Sequence, residues 1–509
     1  MGSLPDRPAI DPETGEWDPT DYFLPRYLRN LAPSSSYSLR GEFTYTEPVA
    51  KYAQVSLQYR AAYDHQERDK RSYETGSDFS IAGLLPDPTL SNAYESNYTT
   101  QRVGPGFRYS KDRNTFVANV YYQYSVLDGQ VTQGASEQIR HSYDDFTYFM
   151  MGQLMINREN SLRLFITSST SNPDVTSLQG VYDLADAQNI SHGNPTLNPS
   201  YSHRINFHYI NSNVEKGRTF MWMFSMQSTS DYIGTHTVQN PSFTVDGETY
   251  TPNFYSTPVN LDGYLSLRTH LSYGFPIGFL RSNFNVMAGV TYTKTPSMYG
   301  MDDDGGIDPE TGAISGGERN DTENMGYDFR AVLGSNISEN VDFTLSWNGT
   351  YNEATNSLSS VSSKNRYFNH TASGDLKVVF PLGFTLTASA AYTQYLGFTN
   401  DYNDDYLLCN AYIGKKIFRN QRGEIMFGVN DIFNQNKSFV RTTGSGWTQN
   451  ATNSVIGRYF MVQFSFNLRR FGKKGSTNIR DYDGVESDTR RRGMMGPGPG
   501  GPPPGFGHR

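Results

Sequence analysis

The chain has 509 residues and a formal charge of −8, so it offers no basic surface for a nucleic acid. Hydrophobic residues make up only 36% while aromatics reach 14%, with 36 Tyr and 31 Phe, a composition suited to strands with one apolar and one polar face. The single cysteine, Cys409, excludes an intrachain disulfide framework and any cysteine-based metal site. No stretch approaches the ~18 consecutive apolar residues of a membrane helix. The first residues, Met-Gly-Ser-Leu-Pro-Asp-Arg-Pro, lack the apolar core of a signal peptide.

Residues 1–36 carry Pro, Asp and Ser without periodicity and read as an irregular extracellular segment. Strand patterning begins at 37–46. It is plain at 54–64, where Val55, Leu57, Tyr59, Ala61 and Tyr63 oppose Gln54, Ser56, Gln58, Arg60 and Asp64. Phe284, Val286, Ala288, Val290 and Tyr292 oppose Asn283, Asn285 and Thr291. Val341, Phe343, Leu345, Trp347 and Tyr351 oppose Asp342, Thr344, Ser346, Asn348 and Thr350. Phe384, Leu386, Ala388, Ala390 and Tyr392 oppose Thr385, Thr387, Ser389 and Thr393. The last run puts Phe460, Val462, Phe464, Phe466 and Leu468 on one face and Met461, Gln463, Ser465 and Asn467 on the other. Such runs have about the 10 residues that a tilted strand needs to cross a bilayer.

The connections decide between a sandwich and a membrane barrel. Short polar turns at 47–51, 111–114, 157–160, 213–217, 276–278, 338–340, 381–383 and 419–423 alternate with long irregular segments. The long segments lie at 65–96, 128–141, 171–199, 231–258, 294–322, 353–364 and 443–454, with a shorter one near 399–404. Tight periplasmic turns and long extracellular loops are the mark of an outer-membrane barrel. The reading is therefore all-β, a transmembrane antiparallel up-and-down β-barrel of about seventeen strands spanning 37–471. An odd count makes the first strand run toward the periplasm like the last. Single-chain bacterial barrels have even numbers, so the N-terminal part of the barrel is expected to be missing and the sequence to begin inside an extracellular loop. Residues 472–509 turn charged and then Pro/Gly-rich, and are expected to be a disordered periplasmic tail.

Gly193-Asn-Pro-Thr-Leu-Asn-Pro-Ser-Tyr201, entering a strand after a long loop, resembles the Gly-Asn-Pro-x-Leu-x-Pro motif of TonB-dependent receptors. It keeps Gly193, Asn194, Pro195, Leu197 and Pro199, while Ser200 stands where the family has an acidic residue. Gly428-Val-Asn-Asp-Ile-Phe-Asn434, with Asn430, Ile432 and Phe433, is similar to the family's Asn-Leu-Phe-Asp segment in the penultimate strand. Tyr45-Thr-Glu-Pro48 and the ending Phe466-Asn-Leu-Arg-Arg-Phe-Gly472 resemble the outer membrane β-barrel family of Bacteroidetes. The resemblance implies a barrel of about 22 strands around an N-terminal plug, with this chain supplying the C-terminal seventeen. It also implies uptake of a siderophore, glycan, cobalamin or peptide, with outer-membrane lipid and, through a plug, the TonB complex as partners. The alternatives are a non-transporting surface or adhesion barrel, an inactive remnant, or a soluble glycan-binding β protein.

Chemistry-bearing candidates are few. The run 302–310, rich in Asp, invites Ca²⁺ but misses the EF-hand spacing, so a solvated loop tip is preferred, as for 400–405. His203 and His208 fall on opposite strand faces, and His208 and His270 are expected to line the lumen. Lumen arginines Arg40, Arg60, Arg163, Arg204 and Arg268 are expected to pair with carboxylates. Trp447, Tyr402 and Tyr299 are the candidate ligand contacts, set against plain loop packing. No catalytic motif, metal site or cofactor is read, and no enzymatic activity is expected.

Overall fold

The computed structural model describes residues 8–10, 17–22 and, apart from short interior stretches, 27–466. Seventeen long strands pair antiparallel in chain order. They are β1 (Ser34–Ala50), β2 (Ala53–Thr75), β3 (Asn92–Lys111), β4 (Asn114–Gln133), β5 (Gln138–Met155) and β6 (Asn160–Ser171). Next come β7 (Ser200–Asn213), β8 (Arg218–Ser230), β9 (Tyr264–Ile277), β10 (Ser282–Met301), β11 (Glu318–Ser335) and β12 (Val341–Asn356). Last are β13 (Lys364–Val379), β14 (Phe384–Leu396), β15 (Asp404–Ile417), β16 (Gly423–Asn430) and β17 (Tyr459–Phe466). These belong to a larger sheet that also takes in short extracellular strands.

Registers carry one face assignment around the whole wall. Leu57 faces Tyr45 and Pro105; Trp347 faces Ala331 and Ala372; Phe427 faces Ile413 and Val462. This face leaves large apolar side chains uncovered, among them Val462 at 71% exposure, Phe464, Leu345, Ile413, Leu57 and Phe146. A soluble protein has no reason to expose such a continuous belt, whereas a bilayer does. The opposite face carries Ser, Thr, Asn, Gln and charge. Its cross-strand hydrogen bonds include Ser346–Ser373 at 2.7 Å and Asn206–Ser225 at 2.8 Å. Closing most of its backbone bonds between neighbouring strands lets so polar a chain sit in lipid.

Strands overrun the spans read from sequence. β2 continues to Thr75, β4 to Gln133 and β10 to Met301, through stretches that read as loops. Above the bilayer both faces are wet, so the hydrophobic period fades while the ladder continues. Within 443–454, Trp447–Asn453 instead pairs with Ser438–Gly444 as a hairpin. In the N-terminal segment Pro8–Ile10 pairs with Trp17–Tyr22, and Tyr27–Leu31 pairs with the top of β2. The tail at 472–509 lies outside the described residues.

Candidate functional site

The two surfaces able to meet a solute are the inner wall and a layer built above it from extracellular connections. On the inner wall Arg60 meets Glu42 at 2.5 Å, and Arg40 approaches Asp64 at 3.6 Å. Arg204 donates to the amide of Gln227 at 3.1 Å, and Arg102 lies 4.5 Å from the Tyr121 ring centroid. His208 and His270 do face the interior, in one register row with Arg163. His203 faces outward, where its Nδ1 lies 2.7 Å from the Tyr148 hydroxyl. No group of three or more His, Cys, Asp or Glu able to hold a metal exists among the described residues.

The extracellular layer arises from a crossing of hairpin arms. Below the mouth, rising β8 lies against β7 and falling β9 against β10. Above it, the rising arm continues as Tyr232–Gln239 and pairs parallel with the top of β10, His236 opposite Met298. The falling arm, Phe254–Leu261, pairs parallel with Asn189–His192, on the other side. The two arms have exchanged neighbours by a half turn. The turn is made at Asp231, with φ of 49°, and at Gly263, with φ of 103°, where any side chain would strike the Arg319 guanidinium.

The motif at 193–201 pins this crossing. Asn198 and Asn260 bond reciprocally: the Asn198 N–H donates to Asn260 Oδ1 at 2.8 Å, and Asn260 Nδ2 to the Asn198 carbonyl at 3.0 Å. Asn260 Nδ2 also reaches the Asp231 carbonyl at 2.9 Å. Ser200 Oγ donates to the same carbonyl at 3.0 Å and accepts from the Ile233 N–H at 3.2 Å. Asn194 Nδ2 donates to the Pro258 carbonyl at 3.0 Å. Leu197, 2% exposed, plugs a core of Tyr94, Leu127, Ile139, Val175 and Leu178. Backbone groups that the crossing withdraws from a ladder thus meet polar side chains, as a half-buried bend requires, and the Asp231 N–H likewise donates to the Asp262 carboxylate at 3.0 Å.

A second core joins three extracellular connections. Tyr255, fully buried, packs on Phe243 at 5.2 Å between ring centroids and donates its hydroxyl to the Gly312 carbonyl at 2.6 Å. Burial pushes the Tyr255 phenol up, and the Tyr182 phenol likewise. His236, 6% exposed, has no partner for Nε2 among the described residues, and burial holds its ring below the usual histidine range. At the outer edge of the lipid belt, Lys294 meets Asp321 at 2.8 Å. Burial works against the charge of Asp321, but bonds from Lys294 and Arg319 outweigh it and hold the carboxyl low.

Of the candidate ligand contacts, Tyr299 is 4% exposed and gives its hydroxyl to Gln239, inside this layer. Trp447 sits in the hairpin at 438–453, and its side chain lies outside the described residues, as does Tyr402. Most of 302–310 is outside them too. The 428–434 motif forms the extracellular end of β16. Asn430 accepts the Tyr412 hydroxyl, the Ile432 N–H bonds the Cys409 carbonyl at 2.9 Å, and Phe433 is exposed. Sequence reasoning missed its keystone. Asp431, 2% exposed, accepts the N–H groups of Gln435 and Asn436 at 2.9 and 3.0 Å. The signal that could have exposed it is an acid between a strand end and an Asn-rich turn.

Among solved structures the chain is similar to the ferric yersiniabactin uptake receptor FyuA of Yersinia pestis, at 10% identity and a TM-score of 0.39. The alignment covers 91% of this chain, which spans 65% of that receptor. A ferric enterobactin receptor of Pseudomonas aeruginosa aligns at 10% identity and a TM-score of 0.36, covering 86% of this chain and 80% of the receptor. The copper transporter OprC gives 10% and 0.40, covering 87% and 76%. No curated protein matches the sequence. The family described as outer membrane protein beta-barrel matches residues 15–310 and 303–467, nearly the whole wall. The chain belongs to the outer membrane protein beta-barrel family, and its place is the bacterial outer membrane.

Proposed function

We propose that this chain is the barrel of a TonB-dependent receptor that takes up a scarce solute, with a plug domain held against the inner wall carrying the contact to the TonB complex. The observation that carries the reading is the width of the wall. About eight strands make a barrel that side chains can fill, whereas sixteen or more enclose a channel or another domain. Seventeen strands of polar inner surface therefore call for water or a plug inside. Siderophores, cobalamin, glycans and peptides are the ligand classes the resemblance offers. Trp447 and Tyr402 are the proposed contacts; Tyr299, packed away, would reach a ligand only through opening of the layer. The test compares a deletion strain with its parent on ferric siderophores, cobalamin, oligosaccharides and peptides, each as the limiting nutrient. Accumulation of one of them should fall in the deletion strain, return with the gene and collapse when the proton gradient is dissipated. Unchanged accumulation of all four, with a loss of surface adhesion, would favour a non-transporting surface barrel.

A further inference from the structure

The ladder between β5 and β6 stops partway up the wall. Phe149 to Met155 pair with Thr167 to Ser161, but Gln138 to Tyr148 have no strand partner on that side among the described residues. On the other side the same stretch stays paired to β4 throughout. Above the stop, Ser168 to Ser171 of β6 pair only with β7. The break falls where the outward residues change from Met150, Ile166 and Ile205 to Tyr148, Ser168 and His203, as the lipid belt gives way to polar side chains. The Tyr148 N–H points to the open side, so alternation turns main-chain groups of Asp144, Ser142 and Arg140 the same way. These make no hydrogen bond to a described residue there, and all three residues are exposed.

Side chains close the gap instead. The Tyr148 N–H donates to Ser168 Oγ at 2.9 Å, and the Tyr201 hydroxyl reaches the Phe146 carbonyl and lies 3.1 Å from the same Oγ. Outside, the Tyr148 hydroxyl spans β6 to His203; inside, the Gln123 amide spans β5 to donate to Thr170 Oγ1 at 2.9 Å. Also inside, Val175, Leu178 and Leu197 of the 172–199 connection pack on Tyr94, Leu127 and Ile139 of β3–β5. A continuous ladder resists parting because its bonds break together, whereas this clasp is a few side chains that can rotate away singly. On the inward face of the unpaired stretch, the Tyr143 hydroxyl, Asp145 Oδ2 and Thr147 Oγ1 are buried and bond no described residue. A parted state that lets water reach them offsets part of the clasp that is lost.

We propose that the upper wall is a two-leaved gate, hinged where Phe149 faces Thr167. Strands β1–β5 form one leaf, and β6–β8 with the 172–199 connection form the other. Release of the clasp parts the leaves and opens a slit from the membrane surface to the inner wall. The gate rests on the barrel fold and does not depend on energised uptake. The test places spin labels at Ser142→Cys and Ser230→Cys, an exposed residue on each leaf, in the full Cys409→Ser chain in lipid vesicles. Pulsed paramagnetic resonance should read a dominant separation and a minor, longer one. Tyr201→Phe removes the bond to the Phe146 carbonyl. It should raise the longer population about five-fold, the effect of one ordinary hydrogen bond on a two-state balance. Tyr148→Phe/Tyr201→Phe should raise it further. Labels at Gln101→Cys and Ser142→Cys, joined by continuous ladders through β3, β4 and β5, should keep one separation in every variant. Heat-modifiable electrophoretic mobility reports whether each variant is folded, and Tyr201→Phe alone carries the test if the double variant is not. A 142–230 separation that the clasp variants leave unmoved overturns the gate, as does equal broadening of the 101–142 control. Neither outcome touches the uptake reading, whose own test is nutrient accumulation in cells.

Discussion

At single residues, the extracellular layer depends on amides that replace a broken ladder. Asn260 makes three bonds across the crossing. Asn260→Ala should therefore cost on the order of 1–3 kcal/mol of local stability, read as faster amide exchange in Tyr232–Gln239. Leu197→Ala, at a site 2% exposed, should cost about 2–5 kcal/mol by leaving a cavity and lower the unfolding temperature of the layer. His236 gives the layer a pH dependence. Its folded pKa is depressed by burial, so the opened segment takes up a proton more readily. Stability should then fall as pH drops through about 6.5. Exchange corrected for its intrinsic rate should be faster in this segment at pH 5.5 than at 7.5, and His236→Leu should flatten the difference; an equal response in both proteins would exclude this origin. Leu197 stood out in the sequence only as a position of the 193–201 motif, and its burial is what the structure adds. Asn260 did not stand out. Nothing near it in sequence shows that its partners lie 29 and 62 residues away.

Strands were the legible elements, because lipid on one side and water on the other print a period of two on the sequence. Val55, Leu345 and Phe464 stand on the lipid face as their alternation predicts, and Ser56, Ser346 and Ser465 stand on the other. Leu345→Arg should cost ~2–4 kcal/mol near the midplane, while Ser346→Arg, facing water, should cost far less. Refolding into lipid vesicles under a urea titration measures both. Environment-sensitive dyes at residues 55, 345 and 464 should be quenched by lipid-borne quenchers, and dyes at 56, 346 and 465 should not. Equal costs for both arginines, or inverted quenching, would remove the membrane assignment. The exchange of neighbours above β8 and β9 left no such print. It depends on two left-handed backbone positions, Asp231 and Gly263, among many Asp and Gly residues that do nothing of the kind. The sequence therefore delivers a transmembrane wall and leaves its extracellular superstructure unread.

For the whole molecule the unresolved balance lies at the two ends of the wall. β1 is exposed along its whole length and β17 along most of it, and no residue register joins them among the described residues. Every second residue at such an edge leaves an N–H and a C=O unpaired, each costing several kcal/mol in hydrocarbon, so a bilayer cannot hold this sheet open. Because seventeen antiparallel strands put β1 and β17 in the same direction, direct contact would make a parallel pair. A second copy in the same membrane keeps that direction and offers only parallel pairing as well. Antiparallel closure would need an odd number of further strands between the two edges, in line with the expectation drawn from the odd strand count. In a Cys409→Ser background, cysteine pairs between positions 40, 42 or 44 and 461, 463 or 465 should not form disulfides in outer membranes. The register neighbours Thr44 and Gln58, replaced in the same way, should cross-link readily. A β1–β17 disulfide formed in yields equal to that control would mean that the wall closes on itself through a parallel seam, with a narrower interior and less room for a plug.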